Sequence, residues 1–281
     1  MQPVADTTTP DESTWNDHEV SRQIAGEAGL LLVGLRSAGH DPADQRWLRD
    51  EGDARSHRLI MARLAALRPD DAILSEEGKD DQERLRHQRV WVVDPLDGTR
   101  EFGEPPRQDW AVHVALCIDG RPVAGSVALP AQGRVFTTAD SFAETTRSEP
   151  LRMVASRTRA PAIVTEIASA LGAELVYMGS AGAKAMSVVS GGADIYLHAG
   201  GQYEWDSAAP VAVATAAGLH CSRIDGSPLV YNQANPYMPD LLICQPSLAT
   251  RVLALVAAHV DHSDAGSENA LSGSGSLNDG V

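Results

Sequence analysis

Three separated groups of residues in this 281-residue chain could do chemistry together: Glu76-Glu77, the stretch Asp94-Pro95-Leu96-Asp97-Gly98-Thr99, and Asp206 in Trp205-Asp206-Ser207. Carboxylates and a hydroxyl, with no His-Glu-x-x-His pattern and no Cys cluster, suit a hard cation that prefers oxygen rather than a transition metal. Asp94 and Asp97 follow the short apolar run Trp91-Val92-Val93, which reads as a buried strand. Pro95 fixes one backbone torsion and Gly98 permits conformations that other residues resist. A tight turn can therefore hold both carboxylates toward one point and turn backbone N–H groups toward a phosphate. Each group also has a plainer reading. Asp-Gly is an ordinary turn former, the acidic run from Glu76 to Asp81 is a solvated loop, and Asp206 is the N-cap of the helix DSAAPVAVATAAG. Capping and cation binding need not conflict, because a carboxylate has two oxygens and a helix start is electropositive.

The elements that must position these residues fall into two halves. Val20, Ile24, Ala28, Leu31 and Leu35 keep helical spacing, and a second helical pattern runs through Leu59, Ile60, Leu64 and Leu67 before Pro69. Strands are predicted at 72–74, 90–93, 110–118, 121–129 and 134–139, with turns at Asp119-Gly120 and Gln132-Gly133, giving an antiparallel sheet backed by two helices. After Ser148 strands and helices alternate: strands at 152–156, 174–178, 193–198, 219–224 and 241–244, helices at 161–172, 184–189, 206–218 and 247–260. Such alternation points to an α/β layer arrangement. The boundary falls in SFAETTRSEP, so that 20–148 and 149–260 form two subdomains between tails at 1–19 and 261–281 that are expected to be disordered.

Charge and composition exclude several functions. Of the net charge of −15, five acids in 1–19 and four in 261–281 account for nine, leaving about −6 for the body. That balance argues against a nucleic-acid polymer as partner. No apolar run reaches the length of a membrane span, and the polar, acidic start lacks the pattern of a signal peptide, so a cytoplasmic location without membrane partners is expected. Cys117, Cys221 and Cys244 are far apart in apolar segments and signal neither a disulfide framework nor a zinc site.

Glu76-Glu77, DPLDGT at 94–99 and WDSAAP at 205–210 resemble, in order and spacing, the three signatures of the inositol monophosphatase superfamily of Mg-dependent, lithium-sensitive phosphatases. The resemblance spans roughly residues 20–260 and implies a layered αβαβα sandwich of two subdomains. It implies two or three Mg²⁺ held by Glu76, Asp94, the main-chain carbonyl of Leu96, Asp97 and Asp206. It also implies a water nucleophile oriented and deprotonated by Thr99 with Asp53, assisted by Glu76, making Asp53, Glu76 and Thr99 the catalytic residues. Substrate would be met by Glu76, Leu96, Asp97, Gly98, Thr99, Ser180, Lys184 and Asp206. Asp53 departs from the family pattern in lacking the usual preceding Thr, and Asp50 is an alternative.

Within the superfamily, GSAGAKAM at 179–186, HAGGQYEWDSAAP at 198–210 and DGSPLVYN at 225–232 look most similar to bacterial 3′(2′),5′-bisphosphate nucleotidases. That similarity implies release of the 3′-phosphate of 3′-phosphoadenosine 5′-phosphate, giving AMP and phosphate, in sulfate assimilation or nucleotide recycling. Inositol monophosphate or fructose 1,6-bisphosphate hydrolysis by the same chemistry, in a monomer or homodimer, is the alternative, and a non-catalytic phosphate-binding module is a further one. A covalent phospho-aspartyl route is disfavoured, since its motif spaces two acids by two, whereas Asp94 and Asp97 are three apart.

Overall fold

Strands buried on both faces lose the alternation of polar and apolar residues, and Arg89–Asp97 and Ala111–Ile118 are of this kind. In the computed structural model, which describes residues 12–38, 44–143, 146–158 and 160–272, they are β2 and β3 of a five-stranded sheet. The sheet runs β1 (Ala72–Ser75), β2, β3, β4 (Arg121–Leu129), β5 (Arg134–Thr137) in chain order. Its pairs are antiparallel except β1 with β2, so the expected antiparallel sheet carries one parallel edge. Val90, Val92, Ala111 and Ala115 face the rest of the molecule, while Trp91, Val93, Val112 and Val114 face two helices, α1 (Asp17–Ser37) and α2 (Gln45–Leu67).

Helix α1 starts at a capping box in which Asn16 and Glu19 bond each other's backbone N–H. Helix α2 begins well before Leu59, where the apolar pattern became visible, because its buried stripe is Leu48, Gly52, Ser56, Ile60 and Leu64. Two members of that stripe are not hydrophobic. A Cβ at Gly52 would lie 2.8 Å from the Phe102 ring, and Ser56 Oγ donates to the Pro95 carbonyl at 2.7 Å. Both are needed for α2 to lie against the Asp94–Thr99 turn.

The second sheet has the order β7 (Glu174–Met178), β6 (Arg152–Ser156), β8 (Ile195–Tyr203), β10 (Tyr237–Cys244), β9 (His220–Ser222). Strands β7, β6 and β8 are mutually parallel, and β10 and β9 continue antiparallel. Helices α4 (Ala162–Leu171) and α7 (Pro246–Ser272) cover its outer face, while α5 (Ala181–Val189) and α6 (Glu204–Ala216) fill the space between the sheets. The result is five layers, αβαβα. Each sheet lies on one side of position 148, but the middle core draws Val92, Ala115 and Val127 from one half and Met186, Ala209 and Ile243 from the other.

The described residues reach into both expected tails. Residues 12–19 belong to the fold: Glu12–Thr14 form a 3-10 turn, Glu12 pairs with Arg63 at 2.9 Å, and Asp17 pairs with Arg68 at 2.7 Å. Helix α7 runs to Ser272, past the expected end at 260, and residues 1–11 and 273–281 lie outside the described residues. Among the described residues no helix is long and apolar enough to cross a membrane, and the three cysteines are free.

Candidate metal centre

The turn after β2 is shaped by its own residues. Asp94 Oδ1 accepts the Leu96 N–H at 3.0 Å, and the Leu96 carbonyl accepts the Thr99 hydroxyl at 3.1 Å. Gly98 has φ +83, and a Cβ there would stand 2.9 Å from Ser180 Cβ and 3.3 Å from the Asp109 carbonyl, so glycine answers both a torsional and a steric demand. Thr99 then opens α3 (Thr99–Phe102), a single turn of helix. Asp53 lies within α2 and its Oδ1 is 3.5 Å from Thr99 Oγ1, the long limit of a hydrogen bond. Asp50, the alternative, is on the exposed side of the helix near Arg46 at 3.7 Å.

The carboxylates converge from four elements. Ligating atoms of Asp94, Asp97 and Asp206 lie within 4.8 Å of one another. Glu76 is not part of that trio but reaches it through Asp94. Parallel pairing sets Ser75 opposite Val93, the Glu76 N–H bonds the Val93 carbonyl at 3.2 Å, and the Glu76 and Asp94 side chains are close enough to share a proton when one of them is protonated. Asp206 was expected as an N-cap; instead α6 begins two residues earlier, and Asp206 accepts the Tyr203 N–H at 2.6 Å from the third helical position. Tyr203 and Trp205 stack on each other with centroids 4.8 Å apart.

This crowding shows in the acidities. Loss of surrounding water, then the charges of Glu77, Glu76 and Asp50, push Asp53 up to about 8. Glu76 sits on an exposed turn yet is enclosed on its inner side, and desolvation with Asp206, Asp97 and Glu77 pushes it to about 7 despite the bond to Asp94. Asp94, fully buried beside Glu76, Asp97 and Asp206, stands well above the usual carboxylate range. Burial and Asp97 move Asp206 to about 6. Asp97 goes the other way: burial opposes its charge, but His113, the Gly182 N–H and Lys184 together hold it at about 2.

The start of α5 supplies much of that environment. Ala181 and Gly182 donate their N–H groups to Asp97 at 3.2 and 2.7 Å, and Gly179 donates to Asp109 at 2.7 Å. A Cβ at Gly179 would meet Glu101 Cδ at 2.2 Å, so this glycine admits a close protein neighbour while also lining the cavity beside α3. Ser180 and Lys184 are likewise committed inside the protein. Ser180 is the N-cap of α5, accepting from Ala183 N at 2.8 Å, and Lys184, 4% exposed, donates to the Gly179 carbonyl at 2.6 Å. Burial lowers the Lys184 pKa against the pull of Asp97 and Asp206. His113 was missed in the sequence, and its only signal there is one polar side chain inside the apolar run of β3.

Four carboxylates, three of them (Glu76, Asp94 and Asp206) with raised affinity for protons, and only oxygen atoms to offer fit a hard divalent cation, which would replace those protons as counter-charge. Beside them, a cavity of about 530 Å³ is bounded by Arg100 and Glu101 of α3, Ser156, Thr158, and the glycines of β8. Residues 36–261 match the inositol monophosphatase family. The chain belongs to this family. Its family relatives include a 3′-phosphoadenosine 5′-phosphate phosphatase of Mycobacterium bovis, 49% identical over 82% of this chain and 90% of that protein. They also include the 3′(2′),5′-bisphosphate nucleotidase CysQ of Escherichia coli, 33% identical over 77% and 94%. Among solved structures, the family member CysQ from Bacteroides thetaiotaomicron superposes with TM-score 0.66 at 26% identity, over 80% of this chain and 96% of that one. Inositol monophosphatase-II from Staphylococcus aureus shares the fold, with TM-score 0.69 at 21% identity over 83% and 92%. The five-layered sandwich is thus the family fold, and the protein is a phosphatase of that family.

Proposed function

We propose that the protein is a Mg²⁺-dependent 3′(2′),5′-bisphosphate nucleotidase that releases the 3′-phosphate of 3′-phosphoadenosine 5′-phosphate. The observation that carries the chemistry is the convergence of Asp94, Asp97 and Asp206 within 4.8 Å, beside the Gly98-Thr99 turn. Glu76, Asp94, the Leu96 carbonyl, Asp97 and Asp206 would hold two or three ions, the carbonyl through the lone pair that Thr99 leaves free. When bound, Mg²⁺ supplies neutralisation of phosphate charge and a lower pKa for water.

The chain's own groups do the rest. Backbone N–H groups of Gly98 and Thr99 hold phosphate oxygens. The Thr99 hydroxyl orients the attacking water, and Asp53, raised to about 8 in the metal-free chain, is suited to take its proton near neutral pH. Glu76 borders the same water from the other side. The nucleoside lies in the cavity beside α3, whose 530 Å³ is within the range of small-molecule sites. Ser180 and Lys184 act through Asp97 and the start of α5 rather than by touching substrate. The names of the relatives support the choice of substrate, and free thiols accord with a cytoplasmic setting.

The test is kcat/KM for 3′-phosphoadenosine 5′-phosphate, inositol 1-phosphate and fructose 1,6-bisphosphate side by side, with Mg²⁺ and with excess chelator. The adenosine compound should lead by at least about tenfold, as a pocket that pairs polar groups with one substrate discriminates, and chelation should abolish turnover. A lead for either sugar phosphate would move the substrate assignment. Activity that survives the chelator would end the metal reading.

A further inference from the structure

His113 is fully buried in the middle of β3, in a run of Ala and Val, and it faces the layer of α5 and α6 together with Ala111 and Ala115. Its ring meets three parts of the molecule. Nε2 stands 3.2 Å from Oδ2 of Asp97. Nδ1 stands 3.0 Å from the main-chain carbonyl of Trp205, the residue before Asp206, and since a carbonyl only accepts, Nδ1 carries the proton of that bond. At Gly182 a Cβ would fall 2.2 Å from Nε2, so α5 can dock only with glycine there.

One rigid ring therefore spans from the end of β2 to the first turn of α6. Its two nitrogens are a fixed distance apart, and that fixes the separation of the Trp205 carbonyl from the Asp97 carboxylate. Asp206 follows Trp205 directly and is itself held by the Tyr203 N–H at 2.6 Å, so its carboxylate has little freedom once Trp205 is placed. Two buried carboxylates repel each other, and without a brace the elements bearing them would relax apart. The brace comes from β3, a central strand paired on both sides.

We infer that His113 is a positioning residue, which holds Asp97 and Asp206 at the spacing a shared divalent cation requires before that cation arrives. The inference rests on the reading of the carboxylate cluster as a cation site. Residues that orient ligands from behind contribute about 10–100-fold in metal affinity, so the effect belongs in cation binding and is measurable without substrate.

The experiment titrates full-length protein with Mn²⁺, reading the free ion by electron paramagnetic resonance, for wild type and for His113→Ala, His113→Leu and His113→Gln. Circular dichroism melting of each metal-free variant checks the fold. Ala and Leu should weaken Mn²⁺ binding by about 10–100-fold, whereas Gln, which keeps an N–H donor for the Trp205 carbonyl, should restore most of it. A side chain that only fills space predicts a different order, with Leu close to wild type. Leu binding Mn²⁺ as tightly as Gln overturns the inference, and this comparison stands even if Ala fails to fold. Wild type that binds no Mn²⁺ would remove the cation reading itself, whereas wild type and variants that all bind alike would remove only the role of His113.

Discussion

Asp53 and Asp97 are both partly or wholly buried acids beside the same turn, yet their neighbours drive them in opposite directions. Asp97 faces donors and a cation, and stays ionised; Asp53 faces other carboxylates, and holds its proton up to about 8. Of the two, only Asp53 has a proton affinity near the working range that the proposed transfer from water requires, once bound cations lower it enough to free the carboxylate. Asp53→Asn should cut kcat by about 10²–10⁴-fold, the usual scale for losing a general base, with Mn²⁺ affinity changed little because Asp53 is not among the proposed ligands. Near-normal turnover would return the role to another residue. The acidic cluster proposed as a metal centre was partly legible in the sequence because Asp94, Asp97 and Thr99 are neighbours in the chain and their spacing is itself the geometry of a turn. His113 was not, because its partners are 16 and 92 residues away and a lone histidine in a strand carries no local pattern. The internal bonds of Ser180 and Lys184 were not legible for a related reason, since small residues beside a lysine describe a close approach without saying to what.

At the scale of elements, the segment from Glu76 to Gln88 has to be held although it forms neither sheet nor long helix. Arg84 does this from inside. Only 2% exposed, it bonds Asp80 at 2.7 Å, the Asn232 side chain at 2.7 Å and the Gln233 carbonyl at 2.9 Å. Glu204, the first residue of α6, takes the N–H groups of Asn232 and Gln233 at 2.6 and 2.7 Å. The loop that carries Glu76 is thereby joined to the helix that carries Asp206. Arg84→Ala removes the guanidinium's bonds to Asp80, the Asn232 side-chain oxygen and the Gln233 carbonyl and should destabilise the protein by about 3 kcal/mol. It should also open the 76–88 segment to limited proteolysis. A melting curve and a digestion pattern unchanged from wild type would show that the loop holds itself. Sequence patterning found most elements here but placed the starts of α2 and α6 too late. In α2 the early part of the buried stripe is Gly52 and Ser56, chosen for closeness rather than hydrophobicity. In α6 the expected cap is the third residue of the helix. Strands β8 and β10 also extend beyond their apolar cores, through Gly200-Gly201 and across an irregular register between Met238 and Asp240.

For the molecule as a whole, the site is a concentration of charge that folding must bring together. Asp53, Glu76 and Asp206 have folded-state values of about 8, 7 and 6 against ordinary values near 4. Above pH ~4 the unfolded chain releases protons that the folded protein retains, so these groups favour folding most at low pH, and that stability is lost as pH rises through 6 to 8. Asp97, depressed to about 2, has the opposite sign and contributes only above its unfolded value. Metal-free protein should therefore melt lower at pH 8 than at pH 5.5, by on the order of 5 °C. On the proposed Mg²⁺ reading, saturating Mg²⁺ should bind the deprotonated carboxylates and remove most of the difference. A metal-free melting temperature that does not depend on pH would contradict the crowding described for the site.

Because Asp97 is held by the N–H groups of Ala181 and Gly182, and the fourth acid stands at position 206, the centre cannot be completed in the order in which the chain is made. A chain emerging from the ribosome displays Asp94 and Asp97 long before α5 and α6 exist to hold or complement them. Strand β10, which flanks β8 in the second sheet, comes later still. With the proposed ligands, the nascent protein would be inert toward phosphate esters until nearly the whole body has been synthesised, and its activity, once it appears, would certify that both halves have met.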